Sequence, residues 1–236
     1  MLKQKAPLHD QSFDNRAEFF KKQIYGTSKG KIRGAVVWRD LEEILAKPEM
    51  SRPLKVLDAG GGFGFMAMKL AALGHDVTLV DISQDMLDLG KKELDEHPVS
   101  GRITFIKGEV QKLNEILPGE KFDLVICHAV LEWLVDPKPV IGILKSMLDV
   151  NGVLSLMFYN RTALLFQPSS RQDNKKPVGV RGHYAPVEAI QAAYNRFSRT
   201  RTIKNYLKQP KESSAGLRLS MVTVSRWCAA SISTSR

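Results

Sequence analysis

The sequence predicts an α/β fold: a doubly wound, mostly parallel β-sheet with helices on both faces and further helices at the N-terminus. Two observations support this fold class. Short apolar segments alternate with helical patterns of about ten residues, as in parallel sheets whose strands are joined by helices. The strand segments are apolar almost throughout, which indicates that both of their faces are buried. With 236 residues, 43% of them hydrophobic, the chain can form a sizeable core.

The expected elements follow in chain order. Two N-terminal helices are expected at residues 14–24 and 34–46, joined by the polar segment 25–33. Apolar runs then predict the strands 54–58, 77–81, 103–106, 122–127 and 152–158. Apolar positions at helical spacing predict the intervening helices 64–73, 84–97, 110–117 and 139–148. Ligands of such sheets bind at the carboxyl ends of the strands, where the strand order reverses.

Composition divides the chain into three parts. Residues 1–48 are expected to be an N-terminal helical segment, residues 49–167 a cofactor-binding α/β domain, and residues 168–236 an atypical basic region. The first 167 residues hold 22 Lys or Arg and 22 Asp or Glu, whereas residues 168–236 hold 13 and 3. The net charge of +10 therefore belongs to the C-terminal region and not to the α/β domain.

Several function classes are disfavoured by composition. No apolar run reaches the roughly 20 residues that cross a bilayer, and the first 16 residues lack the apolar core of an export signal. The two cysteines, Cys127 and Cys228, indicate neither a disulfide framework nor a zinc site. We therefore expect a cytoplasmic protein with no membrane segment and no metal, and the sequence leaves the oligomeric state open.

Four glycines lie within five positions after the first expected strand, in VLDAGGGFGFMA (residues 56–67). Residues 62–67 match the dinucleotide pattern G-x-G-x-x-A, with Asp81 at the distance of a ribose-binding acid. Residues 58–64 match D-x-G-x-G-x-G, which resembles the first motif of class I S-adenosylmethionine (SAM) methyltransferases. A tight glycine turn without a ligand is the third interpretation.

Asp58 favours the SAM interpretation. A dinucleotide places its pyrophosphate against the helix N-terminus, where a nearby carboxylate would repel it. SAM instead carries a sulfonium and an ammonium group, which a carboxylate attracts. Asp81, at the end of the second strand, would accept hydrogen bonds from ribose hydroxyls with either ligand.

Three later segments have the order and spacing of the same class of methyltransferase. GEVQ (residues 108–111) follows the third strand, where such enzymes place side chains beside the adenine. The fourth strand ends in a histidine and an aromatic-bearing turn, within residues 122–133. Residues 148–160 are similar to the loop and fifth strand of this class.

The chain resembles the bacterial tRNA 5-carboxymethoxyuridine methyltransferase family in four segments: YGTSKGKIR (25–33), DAGGG (58–62), HAVLEW (128–133) and GVLSLMFYN (152–160). The resemblance covers residues 13–167. It implies a Rossmann-like class I methyltransferase fold, SAM as cofactor and the tRNA anticodon region as partner. The implied reaction methylates the carboxylate of 5-carboxymethoxyuridine at the wobble position, giving the methyl ester and S-adenosylhomocysteine. The SAM contacts that it implies are Arg33, Gly60, Gly61, Asp81, Val110, Gln111 and His128, beside Asp58.

The implied reaction needs no acid or base from the protein. A carboxylate oxygen is already anionic at neutral pH, so catalysis can rest on holding it in line with the sulfonium methyl group. Arg33 would hold the methionyl carboxylate of SAM through its planar guanidinium. His128 is expected in the cofactor pocket, Trp38 and Trp133 in the core rather than against a base, and Tyr25 near the path of the substrate, together with Lys29.

The resemblance stops after residue 167. Class I methyltransferases normally finish with two further strands, whereas here residues 217–225 predict one strand and residues 187–207 a helix. The region 168–236 is interpreted either as a divergent substrate region whose basic residues contact tRNA phosphates, or as a frame-shifted translation. The frame-shift interpretation predicts an exposed sheet edge, poor solubility and little activity.

Three other functions stay open at this point. A small-molecule SAM-dependent O-methyltransferase would act without tRNA. A SAM-binding protein that is inactive because of its altered C-terminus would bind the cofactor without turnover. An NAD-dependent oxidoreductase would bind NADH in place of SAM.

Overall fold

The computed structural model describes residues 9–159, 216–224 and 227–235. The strands in this part of the chain are β1 (Lys55–Ala59), β2 (Asp76–Asp81), β3 (Arg102–Lys107), β4 (Phe122–His128), β5 (Leu148–Tyr159), β6 (Gly216–Val224) and β7 (Trp227–Ser235). They form one sheet in the order β3-β2-β1-β4-β5-β7-β6. Strands β1 to β5 pair in parallel, and β7 runs antiparallel between β5 and β6. The predicted doubly wound, mostly parallel sheet is confirmed.

The helices of the described residues lie before β1 and between the first five strands. They are α1 (Ala17–Phe20), α2 (Ser28–Leu45), α3 (Phe65–Ala72), α4 (Gln84–Glu96), α5 (Leu113–Ile116) and α6 (Lys138–Ser146). Hydroxyl groups cap two of them, as expected for serine and threonine before a helix. The Thr27 Oγ1 accepts a hydrogen bond from the Gly30 N–H at 3.1 Å, and the Ser83 Oγ accepts one from the Met86 N–H at 3.3 Å.

The predicted N-terminal helices are present, but the expectation that residues 25–33 only join them is wrong. A π-helical turn, Lys21–Tyr25, continues α1, and α2 begins at Ser28. Within α2, Gly34 serves packing. A Cβ atom on Gly34 would lie 3.1 Å from the Phe65 ring, so the glycine lets α2 approach α3 closely.

The core lies on both faces of the sheet because successive strand residues point to opposite sides. On one face, Leu57 and Val125 pack with the apolar residues of α5 and α6. On the other face, Val56 and Leu124 pack with those of α2, α3 and α4. This double coverage explains why the strands are apolar almost throughout.

The C-terminal strands close the sheet beyond β5. β6 confirms the strand predicted at residues 217–225, whereas the expectation of a single strand is wrong, since β7 pairs with β5 from Val153↔Ser233 to Tyr159↔Trp227. The sequence of β7, WCAASISTS, lacks the bulky apolar alternation that marks a strand. The helix expected at residues 187–207 lies outside the described residues. Among the described helices, none has the length and apolar character needed to span a membrane.

Candidate active site

A cleft of about 1270 Å³, counted with its open mouth, lies at the carboxyl ends of β1, β2 and β4. β1 pairs with β2 on one side and β4 on the other, so the strand order reverses beside it. This is the position where open α/β sheets bind ligands. All of the predicted cofactor residues line the cleft: Arg33, Asp58, Gly60, Gly61, Asp81, Val110, Gln111 and His128.

The glycine turn between β1 and α3 forms the floor of the cleft. Gly60, Gly62 and Gly64 have φ angles of 75°, 59° and 86°, which side-chain-bearing residues rarely adopt. Gly61 is required for a different reason: a Cβ atom there would lie 2.6 Å from the Asp58 Cγ and 2.8 Å from the Leu79 Cγ. The turn therefore presents bare backbone to the cleft.

Two buried carboxylates stand beside this turn. The Asp81 Oδ2 accepts a hydrogen bond from the Gly62 N–H at 2.8 Å, and its Oδ1 accepts one from the Ser83 N–H at 2.8 Å. Burial raises the pKa of Asp81. Burial, with a further contribution from the charge of Asp81, raises the pKa of Asp58 to about 7. A cation bound in the cleft would favour the ionised form of both acids.

Arg33 and Tyr25 bring a positive charge to the same cleft. The Arg33 Cζ lies 5.4 Å from the centroid of the Tyr25 ring, and this ring packs edge-on against Phe63, with centroids 5.1 Å apart. Burial raises the pKa of the Tyr25 hydroxyl, Arg33 opposes that shift, and Asp58 adds to it. The cleft thus offers both a guanidinium and a carboxylate, the two groups that a zwitterionic amino acid requires.

His128 ends β4 and is held by the neighbouring strand. Its Nε2 lies 2.9 Å from the Ser155 Oγ of β5. Burial lowers the pKa of His128 to about 4, so the ring is neutral at physiological pH. Its Nδ1 is buried without a hydrogen-bond partner among the described residues.

The two tryptophans differ in position. Trp38 packs against the core beside α3, with the Lys69 Nζ 4.4 Å from its ring, as predicted. Trp133, also expected in the core, instead lies half-buried in the wall of the cleft, at the end of the turn Leu131–Trp133 that follows β4. Tyr25 lines the cleft, and the side chain of Lys29 lies outside the described part of the chain.

Residues 10–15 cross the cleft, a position that was not expected from the sequence, and we call this segment the N-terminal strap. On one side its Gln11 N–H donates to the Trp133 carbonyl oxygen at 3.0 Å. On the other side the Asp14 Oδ1 accepts from the Ser83 Oγ at 2.7 Å. Asp10, Gln11 and Phe13 of the strap line the cleft. The strap is polar and has no periodicity, so no signal in the sequence pointed to this position.

The described residues show no cluster of three or more His, Cys, Asp or Glu side chains suited to a metal ion. The charged and aromatic side chains that line the cleft include Arg33, Asp58, Asp81 and Tyr25.

Comparison with known proteins defines the class. The methyltransferase domain model matches residues 51–208, more than half of the chain, so this protein belongs to the methyltransferase domain family. The solved structure of magnesium protoporphyrin IX methyltransferase from Synechocystis PCC 6803, with bound S-adenosylhomocysteine, aligns with a TM-score of 0.61. The alignment covers 94% of this chain and 96% of that one at 20% identity, and it confirms the Rossmann-like methyltransferase fold.

Two curated relatives extend the comparison. The tRNA 5-carboxymethoxyuridine methyltransferase of Escherichia coli (strain K12) is 45% identical over 158 residues, which are 67% of this chain and 60% of that protein. The chain therefore spans about 60% of the length of this relative. The malonyl-[acyl-carrier protein] O-methyltransferase of Halalkalibacterium halodurans is 31% identical over 131 residues, 54% of this chain and 47% of that protein.

Proposed function

We propose that this protein is a SAM-dependent methyltransferase that converts the carboxylate of 5-carboxymethoxyuridine in tRNA into its methyl ester. The 45% identity to the E. coli enzyme of that name is the observation that carries the proposal. The cleft supports it, because it offers the charges that SAM requires at the site expected for a cofactor. Because the proposed substrate is a tRNA nucleoside at the wobble position, the proposal includes a cytoplasmic location and a partner surface for the anticodon region.

The methionine part of SAM would bind between the N-terminal helices and the glycine turn. Arg33 holds the methionyl carboxylate, and Asp58 attracts the ammonium and sulfonium groups. Gly60 and Gly61 let the ligand approach the backbone closely. The two charged side chains therefore fix the direction in which SAM lies in the cleft.

The nucleoside part would extend towards β2 and β3. Asp81, at the end of β2, accepts hydrogen bonds from the ribose hydroxyls. Val110 and Gln111, which follow β3, lie beside the adenine, and His128 closes the cleft from the end of β4. The N-terminal strap covers the bound cofactor.

The methyl group would pass directly to a substrate carboxylate. This nucleophile is ionised at neutral pH, so the protein contributes positioning and charge rather than proton transfer. Attack of the carboxylate oxygen on the methyl carbon breaks the carbon–sulfur bond and leaves neutral S-adenosylhomocysteine. We assign no acid or base residue to this step.

The charge of the chain favours an RNA partner. Besides the basic region 168–236, residues 16–33 carry six Lys or Arg and one Glu, and this segment supplies Phe20, Tyr25 and Arg33 to the cleft. Basic side chains near the cleft would bind the phosphates of the anticodon stem, and this binding weakens as salt rises. The proposal divides the chain into an N-terminal helical segment at residues 1–48, the SAM-binding domain at residues 49–167 and the substrate region at residues 168–236.

A small-molecule O-methyltransferase is the second candidate. The similarity to malonyl-[acyl-carrier protein] O-methyltransferase favours it, since that name also describes an O-methyltransferase. It would methylate an acid without requiring tRNA.

Transfer of labelled methyl groups tests the proposal. The protein would be incubated with methyl-labelled SAM and tRNA rich in unmethylated 5-carboxymethoxyuridine, and the label would be counted before and after mild alkali. We expect the wild-type protein to put alkali-labile label into tRNA. The amount of label should fall in Arg33→Ala and should be unchanged in Arg39→Ala, an exposed position on the same helix. SAM binding without any labelled tRNA would contradict the tRNA activity, and label in a small carboxylic acid would favour the second candidate.

A further inference from the structure

We propose that Asp10 of the N-terminal strap is a positioning residue that sets the orientation of the Gln111 side-chain amide. Through this orientation, Asp10 makes the cleft select a base with an exocyclic amino group over one with a carbonyl group at the same position. The inference rests on the proposed function, because it concerns the adenine of the bound cofactor.

The Asp10 carboxylate binds two donors from different parts of the chain. Its Oδ1 accepts a hydrogen bond from the Val135 N–H at 2.7 Å, and its Oδ2 accepts one from the Gln111 Nε2. An ionised carboxylate only accepts hydrogen bonds. Gln111 must therefore turn its NH₂ group towards Asp10 and its Oε1 away.

The Gln111 Oε1 is left as a buried acceptor. It has no hydrogen-bond partner among the described residues, although its side chain lines the cleft. Buried polar atoms are rarely without a partner, and such an exception calls for an explanation. A bound ligand that donates a hydrogen bond at this place would supply the partner.

The position of Gln111 identifies the ligand group. Gln111 follows β3, which pairs with β2, and β2 ends in the proposed ribose-binding residue Asp81. The base of the cofactor would thus lie nearer to Gln111 than to Arg33. The 6-amino group of adenine would donate to the Gln111 Oε1. The 6-oxo group of hypoxanthine is itself an acceptor, so it could not pair with the Oε1.

The experiment compares the binding of S-adenosylhomocysteine with that of S-inosylhomocysteine, in which oxygen replaces the 6-amino group. The wild-type protein is expected to prefer S-adenosylhomocysteine by a factor of about ten or more, since a mismatched hydrogen-bonding group is rejected strongly. In Asp10→Asn, the new amide can donate to the Gln111 Oε1, so the Gln111 amide can reverse. We expect the preference to fall by about tenfold in this variant.

A second variant and a control complete the test. Asp10→Ala, which frees the Gln111 amide without reversing it, should also reduce the preference. Asp136→Asn removes an exposed carboxylate that caps the Lys138 N–H at 3.3 Å, and it should leave the preference unchanged. Nitrogen-15 NMR of the Gln111 NH₂ group in the ligand-free protein reports its hydrogen bond directly, and the signal should shift in both Asp10 variants.

The outcomes separate the inference from the proposed function. An unchanged preference in Asp10 variants that bind S-adenosylhomocysteine would overturn the inference alone. A wild-type protein that binds neither compound would overturn the proposed function and the inference with it. A reduced preference together with a shifted Gln111 signal supports the positioning role.

Discussion

At the scale of single residues, the affinity of the cleft for a cation depends on the ionisation of buried carboxylates. Asp58 has its pKa raised to about 7, because burial and the neighbouring Asp81 both disfavour its ionised form. Ionised Asp58 is therefore unfavourable in the ligand-free site, and a bound cation would stabilise it. The strand-end acid is thus a better host for SAM than for a pyrophosphate.

The first prediction concerns the pH dependence of cofactor binding. A bound cation favours ionised Asp58, so binding should release a proton near pH 7. The affinity for SAM should rise by about tenfold between pH 6 and pH 8 as this group ionises. Calorimetry in buffers of different ionisation enthalpy measures both quantities. Asp58→Asn should abolish the pH dependence of the SAM affinity, whereas Asp95→Asn, at an exposed position, should keep it. An affinity of the wild type that does not change with pH would contradict the prediction.

The same group predicts how stability depends on pH. The folded pKa of Asp58 lies above its ordinary value of 3.8, so the folded state holds the proton more tightly than the unfolded state. Its contribution to the free energy of unfolding is full below about pH 4 and is lost as the pH rises through about 7. Denaturation of the ligand-free protein should therefore show a smaller decrease in stability over this range in Asp58→Asn than in the wild type.

The crowded surroundings of Gly61 predict the effect of adding a side chain there. In Gly61→Ala the new Cβ would crowd Asp58 and Leu79, at 2.6 and 2.8 Å from their Cγ atoms. We expect a loss of about 1–3 kcal/mol in the free energy of unfolding and weaker binding of S-adenosylhomocysteine. Chemical denaturation and a binding titration measure the two effects. The control is Gly119→Ala, because no atom lies within 4 Å of the added Cβ. Gly119 has a φ of 74°, so this variant should be less stable but should bind S-adenosylhomocysteine as well as the wild type.

At the scale of elements, the N-terminal strap connects two sides of the cleft. Asp14 joins the strap to the start of α4, where its Oδ1 accepts from the Ser83 Oγ at 2.7 Å and from the Asp85 N–H at 3.3 Å. The Ser83 N–H in turn donates to Asp81 at 2.8 Å. Release of a covered ligand therefore requires the strap to detach from α4.

Weakening this attachment should speed the release of product. In Asp14→Ala we expect the dissociation rate of S-adenosylhomocysteine to rise by about tenfold, since at least one charge-assisted hydrogen bond is lost. Stopped-flow fluorescence of Trp133, which packs edge-on against Phe13 of the strap at 5.1 Å, would follow the release. Asp88→Ala, on an exposed part of α4, is the control. Equal rates in both variants would show that the strap does not limit release.

At the scale of the whole molecule, the sheet joins the C-terminal strands to the cofactor-binding half. β7 lies between β5 and β6, and Ser231 pairs with Ser155 on one side and with Ser220 on the other. Ser155 is the residue that contacts His128 in the cleft. The last strand therefore supports a strand that lines the site.

A proline in β7 tests this connection. Ser231→Pro removes a hydrogen-bond donor between two neighbouring strands, and it should cost about 3 kcal/mol or more in the free energy of unfolding. Ser235→Pro, at the end of β7 beyond the residues paired with β5, is the matched control and should cost less. Chemical denaturation measures both. Equal stability of the Ser231→Pro variant and the wild type would favour the interpretation that residues 168–236 are a frame-shifted translation outside the fold.

The extent of prediction from sequence differs between fold and site. Strand and helix order could be predicted because burial on both faces leaves local apolar runs, as in β1 and β4. The eight expected cofactor residues were predicted from the family resemblance, and the rule for parallel sheets predicted that those at strand ends share one edge. Two elements could not: β7, whose small residues give no alternating pattern, and the beginning of α2, whose polar first turn contains Gly30.

The sequence by itself determined the parallel sheet, the glycine turn and the acids at the strand ends, because each depends on residues that are neighbours in the chain. Only the tertiary structure decided the raised pKa of Asp58, which depends on burial, and the contact of Tyr25 with Arg33. It alone placed Asp10 against Gln111, 101 positions away, since contacts between distant segments depend on how the whole chain packs.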